Sequence, residues 1–168
     1  DMIYHTQCVS SATENSLLMV DMPFGSYQES PEKAYANAAK LIEAGAQIIK
    51  LEGGKWLANT ISFLSDRGIP TCGHLGLTPQ SVHKLGGYKV QGTNPKNANS
   101  IIDAAKTLEE NGVDLIVLEL IPAELGKKIT QQIKIPTIGI GAGVFVDGQV
   151  LVLHDILGLN FWSHSKIC

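Results

Sequence analysis

"IIKLEGGKW", residues 48–56, is an apolar run that admits a lysine and a glutamate and stops at two glycines. In an extended strand, residues two apart share a face, so Lys50 and Glu52 point to one side and Leu51 to the other. Such a segment is either an edge strand with a wet face or a buried strand that ends at a polar rim. The other apolar runs decide between these.

Five short runs rich in Ile, Val and Leu read as strands, at 17–21, 47–52, 70–74, 115–119 and 137–141. Helical stretches lie between them. Ser30, Pro31 and Glu32 form an N-cap, a first-turn proline and an early acid, and Gly45 closes the helix they begin. Further helices are expected over 56–66, 98–110 and 123–132, and Asp147 is expected to cap a last one that runs to about His154. Alternating strand and helix, with strands apolar on both faces, is the βαβ pattern of a covered parallel sheet. The chain has 168 residues and reads as a single domain. Five strands suit an open flavodoxin-like sheet, whereas a (β/α)8 barrel takes about 250 residues and would be incomplete here.

Four of the strands end alike. Their apolar runs finish at Asp21, at Lys50 and Glu52, at His74 and at Glu119, and each then meets Pro23, Gly53, Gly76 or Pro122. Parallel strands point the same way, so these ionisable groups converge on one rim. Burial of so many charges is costly unless they pair or hold a metal. Carboxylates with neutral oxygen donors suit a hard cation such as Mg²⁺, and a further carboxylate serves as a general base. Taken singly, Asp21 reads more often as a turn or cap residue than as a site, Lys50 with Glu52 equally as a structural ion pair or a site, and His74 equally as a satisfied core histidine or a site residue. "IGIGAG" (138–143) reads either as a backbone anion cradle or as a sharp strand turn, and it lacks dinucleotide-binding spacing. "GGYKVQG" (86–92) reads as an ordered loop over the rim or as a tight surface loop.

Composition narrows the classes. Apolar residues make up 44% and charged residues 17%, with a net charge of −3, which gives no footprint for nucleic acid or an anionic membrane. Cys8, Cys72 and Cys168 stand far apart, without metal-type spacing, and suit a reducing compartment. No apolar stretch approaches the roughly 18 residues of a membrane span. The expectation is a cytoplasmic protein, or a mitochondrial one in a eukaryote.

"DMPFGSY" (21–27), "KLEGG" (50–54), "CGHLGLTPQS" (72–81), "GGYKVQG" (86–92), "VLELIP" (117–122), "IGIGAG" (138–143) and "DGQVLVLHD" (147–155) occur in this order. Together they closely resemble the ketopantoate hydroxymethyltransferase family, from Asp1 to about Leu159. The resemblance implies a (β/α)8 TIM barrel, a homo-oligomer (a decamer) and transfer of a one-carbon unit from 5,10-methylenetetrahydrofolate to 3-methyl-2-oxobutanoate in pantothenate biosynthesis. It implies that Asp21 and Glu52 bind Mg²⁺, that Asp21, Lys50 and His74 bind the oxo acid, and that Glu119 accepts the proton. It also implies that two family strands and an Asp-Ser pair should precede Asp1, and that after Leu159 the segment 160–168 departs from the pattern and the family's final helices are missing. The chain then carries barrel strands three to seven and part of the eighth, with two strand edges exposed. A non-catalytic fragment of such an enzyme and a flavodoxin-like anion-binding module are the alternatives.

Overall fold

The computed structural model describes residues 1–159. Six parallel strands lie side by side in sequence order: β1 (Met19–Asp21), β2 (Ile48–Glu52), β3 (Thr71–Gly76), β4 (Leu115–Glu119), β5 (Thr137–Ile140) and β6 (Gly148–Gln149). A flavodoxin-like sheet would place later strands on both sides of the first. An order with no reversal is that of a (β/α) barrel, and with six strands the barrel is incomplete. Expected strands one to five appear as β1–β5. The sixth, only Gly148 and Gln149, carries no β-branched residue that would mark it in sequence.

The helices follow their caps. Ser30 Oγ accepts a hydrogen bond from the Lys33 amide at 3.1 Å and starts α2 (Pro31–Glu43). Asn94 does the same for the Asn97 amide at 3.0 Å, so α5 (Pro95–Glu110) begins three residues before the expected 98. Helix α3 (Ala58–Ser65) follows a 3-10 turn at Lys55–Leu57, and α6 (Ala123–Thr130) precedes β5. Helix α1 (Met2–Ala12) was not expected: Thr6 is its one buried residue, so it has no apolar stripe to read. Two single-turn helices, α4 (Val82–Leu85) and α7 (Leu153–Ile156), complete the set.

The expectation for Asp147 is corrected. It caps no helix: its Oδ2 accepts from the Thr137 amide at 2.8 Å and from the Thr137 hydroxyl at 2.9 Å, stapling the β5–β6 loop to the start of β5. Val152 precedes α7 instead. Asp and Asn favour turns for the reason that they favour caps, since a short side chain bonds nearby backbone amides. The segment 160–168, read as divergent, lies outside the described residues.

Strand alternation gives the sheet two apolar layers. Ile49, Leu51, Leu75, Ile116 and Leu118 pack outward against helix residues such as Ala38, Leu64, Leu108 and Ile129. Ile48, Cys72, Leu115, Val117 and Ile140 form a separate cluster on the inner face. The register places Lys50 beside Asp21 and Cys72, Glu52 beside His74, and Glu119 beside Gly76. Asp21, Lys50, Glu52, His74 and Glu119 therefore stand on the inner face, at the strands' C-terminal ends, above that cluster.

Candidate active site

The five ionisable residues expected at the rim form one continuous chain of contacts. Lys50 Nζ lies 3.1 Å from Asp21 Oδ2 and 3.9 Å from Glu52 Oε1. It also lies 3.3 Å from His74 Nδ1, which is 3.6 Å from Glu52 Oε1. Across the ring, His74 Nε2 lies 3.0 Å from Glu119 Oε2. That contact rests on charge more than on direction, because Nε2 has no well-aimed hydrogen-bond partner among the described residues. Glu52, His74 and Glu119 are buried, and Asp21 is exposed at the edge strand.

Burial pushes the His74 imidazole toward its neutral form, but its contacts with Glu119 and Glu52 outweigh this and raise its pKa. The opposite holds for Glu52. Burial pushes its carboxyl up, whereas His74, the Gln80 amide and the Lys50 charge together bring it below its ordinary value. A neutral His74 ring can accept from Lys50 at Nδ1, and a protonated one forms an ion pair with Glu52 Oε1 at 3.6 Å. Burial drives the Cys72 thiol, one layer below, up to about 12.

Backbone features outside those expectations hold the ends of β3 and β4 together. Leu120, just after Glu119, adopts a left-handed conformation with φ 48, and its amide donates to Ile140 O at 2.8 Å. Gly76 has φ 92, and a side chain there would run into the Glu119 carbonyl. That carbonyl accepts from the Leu77 amide at 2.8 Å. The 86–92 loop is anchored beside Glu119, since the Gln91 amide donates to Leu120 O at 2.9 Å, while the Tyr88 side chain is exposed. In "IGIGAG", Gly139 and Gly143 allow close approach to Val146 and Ala123, which supports the strand-turn reading of those glycines.

Tyr27 and Gln80, quoted in motifs but given no role, also belong to the site. The Gln80 amide donates to Glu52 Oε2 at 2.9 Å, and the Tyr27 hydroxyl donates to Gln80 Oε1 at 2.7 Å. Neither had a local signal, because the partners lie 28 and 53 residues apart in sequence. A cleft of about 250 Å³ opens beside His74, lined in part by Gly53, Trp56, Gly76 and Lys84. A larger one of about 470 Å³ lies between α1 and the loop after β1 and holds none of the five rim residues.

The donor set fits a hard cation. Asp21 and Glu52 both turn a carboxylate oxygen toward one cationic group, the Lys50 ammonium, and they offer oxygen alone. Mg²⁺ commonly takes one or two carboxylates and completes its shell with water and substrate. Among the described residues no group of three or more His, Cys, Asp or Glu is arranged to hold a metal by itself.

Comparison with known proteins places this geometry in a family. The chain is 58% identical over 160 residues to the 3-methyl-2-oxobutanoate hydroxymethyltransferase of Idiomarina loihiensis, covering 95% of this chain and 60% of that protein. The enzyme of the same name from Shewanella loihica is 57% identical with the same coverage. The chain thus spans about 60% of the length of these curated relatives. Among solved structures, phosphonopyruvate hydrolase in complex with oxalate and Mg²⁺ superposes with a TM-score of 0.65 at 12% identity. It covers 95% of this chain and 62% of that one, a likeness of fold. A family model described as ketopantoate hydroxymethyltransferase matches residues 1–168, and by that match and those identities the chain belongs to the ketopantoate hydroxymethyltransferase family.

Proposed function

We propose that this chain carries the oxo-acid side of an active site that transfers a hydroxymethyl group to 3-methyl-2-oxobutanoate, giving 2-dehydropantoate for pantothenate biosynthesis. The observation that carries the reading is the unbroken path from Asp21 through Lys50, Glu52 and His74 to Glu119. It sets the Lys50 ammonium, the Asp21 and Glu52 carboxylates and the separate Glu119 carboxylate on one face, which supports the roles proposed for them.

Each group has work in that reaction. The Lys50 ammonium neutralises the substrate carboxylate. Asp21 and Glu52 would hold Mg²⁺, which would supply Lewis-acid polarisation of the 2-oxo carbonyl. Glu119 removes the proton from carbon 3, and the electron pair left there delocalises into the 2-oxo group. Carbon 3 then bonds to the one-carbon unit of 5,10-methylenetetrahydrofolate, both carbon–nitrogen bonds to that unit break, water supplies the hydroxyl oxygen, and tetrahydrofolate leaves with the two nitrogens protonated. His74 Nε2 lies 3.0 Å from the Glu119 carboxylate and, when the ring is protonated, pairs with its charge. The same reading takes the protein as a cytoplasmic homo-oligomer, with the open edges at β1 and β6 available to further protein.

A second reading, a fragment that binds metal and oxo acid without carbon transfer, is favoured by the exposure of Asp21 on an edge strand. The two are separated by following deuterium wash-in at carbon 3 and product formation together by NMR. Exchange with transfer supports the first; exchange alone supports the second. Glu119→Gln keeps the side-chain shape and should slow exchange by about 10²–10⁴. If it exchanges as fast as the parent, Glu119 is not the base.

A further inference from the structure

The Tyr27 side chain is 1% exposed, although it lies in the loop between β1 and α2. Its ring stacks on Trp56 at 6.3 Å between centroids, nearly parallel at 9°. Its hydroxyl is saturated. It donates to Gln80 Oε1 at 2.7 Å, accepts from the Glu52 amide at 3.1 Å, and also lies 3.1 Å from the Glu52 carbonyl. Gln80 completes the circuit: its side-chain amide donates to Met22 O at 2.8 Å, and its backbone amide donates to Glu52 Oε2 at 2.9 Å. Gln28 Nε2 adds a longer contact to Gln80 Oε1 at 3.4 Å. One tyrosine and one glutamine thus tie together the residue after Asp21, the end of β2 and the loop after β3.

We propose that Tyr27 and Gln80 form a clamp of positioning residues that locks these three strand ends and aims the Glu52 carboxylate at the cation site. The bonding fixes every direction in the clamp. Gln80 Oε1 faces a donor and Gln80 Nε2 faces a carbonyl, so the amide has one orientation that satisfies both. The phenol stays a neutral hydroxyl, its pKa driven up to about 12 chiefly by burial. Glu52 Oε2 is occupied by the Gln80 amide, which leaves Oε1 as the oxygen that faces Lys50 and His74. Rotation of the carboxylate would break that bond and leave a partly buried donor unpaired, a loss of about 1 kcal/mol. The clamp sits outside the ring of reacting groups and acts through Glu52. Groups that orient a metal ligand in this way typically matter for affinity by roughly 10–100-fold.

The role toward a cation rests on the reading of Glu52 as a metal ligand, so the test has two arms. The first is amide hydrogen exchange by NMR in Tyr27→Phe, which keeps the stacked ring, and in Gln80→Leu. Each variant should speed exchange at the Glu52 and Gln80 amides by about tenfold, the equivalent of one lost hydrogen bond. The Ile116 and Leu118 amides should stay as they were, and the double variant should add little to the worse single one, because the two residues act as a unit. The second arm is Mn²⁺ binding by electron paramagnetic resonance titration. Both single variants should bind Mn²⁺ about tenfold more weakly or worse, and Glu52→Gln should be weaker still. Unchanged exchange at Glu52 and Gln80 would overturn the clamp. Faster exchange with Mn²⁺ affinity intact, while Glu52→Gln loses it, would overturn the aiming of Glu52 and leave a structural tie. If Glu52→Gln binds Mn²⁺ as the parent does, the metal-ligand reading fails, and the exchange arm alone decides whether the clamp locks the strand ends.

Discussion

The Glu52 side chain is 6% exposed and touches Lys50, His74 and the Gln80 amide, whereas that of Asp21, one strand away, is 53% exposed and pairs with Lys50. Both are carboxylates at the end of a parallel strand, on the same face. The difference is that β2 has a neighbour on each side and β1 has one. In β2, β3 and β4 nearly every residue is buried, while β1 ends in an exposed one and β6 has no buried residue. The centre of the sheet excludes water and makes each charge depend on its partners. At the edges the same chemistry stays wet, and each contact is worth less.

Core packing should break this symmetry most strongly. Leu118 in β4 is fully buried among outward-facing side chains, and Leu17, just before β1, is exposed. Leu118→Ala should destabilise by about 2–5 kcal/mol, from lost burial and the cavity left behind. Leu17→Ala should stay within roughly 0.5 kcal/mol of the parent. Urea unfolding of the two variants measures both. Comparable losses would mean that the β1 edge is as well covered as the centre.

The charges of the centre give a pH signature of intermediate size. The Glu52 carboxyl is lowered from an ordinary 4.5, so its contribution is present above 4.5 and lost as pH falls through the folded value. The His74 imidazole is raised from an ordinary 6.5, so its contribution is full below 6.5 and lost as pH rises through its higher folded value. Both contribute fully between 4.5 and 6.5. Thermal melts in chelator-treated buffer should peak in that window, and His74→Gln should flatten the decline on the alkaline side. A parent Tm that climbs steadily from the window toward pH 8 would count against the buried pairing of His74 with Glu119 and Glu52.

The same contrast explains what the sequence made legible. Apolar runs that stop at Asp21, Glu52, His74 and Glu119 show both the strands and the rim, because burial on two faces writes itself into consecutive residues. Helix α2 announces itself through Ser30 and Pro31. The strand order and the absence of a switch point are not local properties, so the apolar runs alone fit an open sheet as well as a barrel. Asp147 was misplaced because the residue that staples a turn is also the residue that starts a helix. Tyr27 and Gln80 were invisible as a pair: each sits in a loop of polar and turn-forming residues, and their bonds span the site. Leu120 was invisible for another reason, since leucine gives no hint of a left-handed backbone.

Asp21 should contribute little to stability, and it sharpens the comparison because its effect on binding should not be small. The Lys50–Asp21 pair at 3.1 Å is half open to water on the Asp21 side. Asp21 is open to water and Glu52 remains beside the mostly buried Lys50, so the pair is worth about 0–1 kcal/mol and weakens with salt. Asp21→Asn should therefore lower Tm by no more than about 2–4 °C, and that difference should shrink between low salt and about 1 M, where the Debye length is near 3 Å. Asn keeps the shape and an oxygen but surrenders the charge that a hard cation seeks. Mn²⁺ titration of the same variant should show clearly weaker binding at every salt concentration. A stability loss as large as that of Leu118→Ala would show that the β1 edge is not the wet boundary described above. Unchanged Mn²⁺ affinity would remove Asp21 from the metal site and leave it as an ionic rest for Lys50.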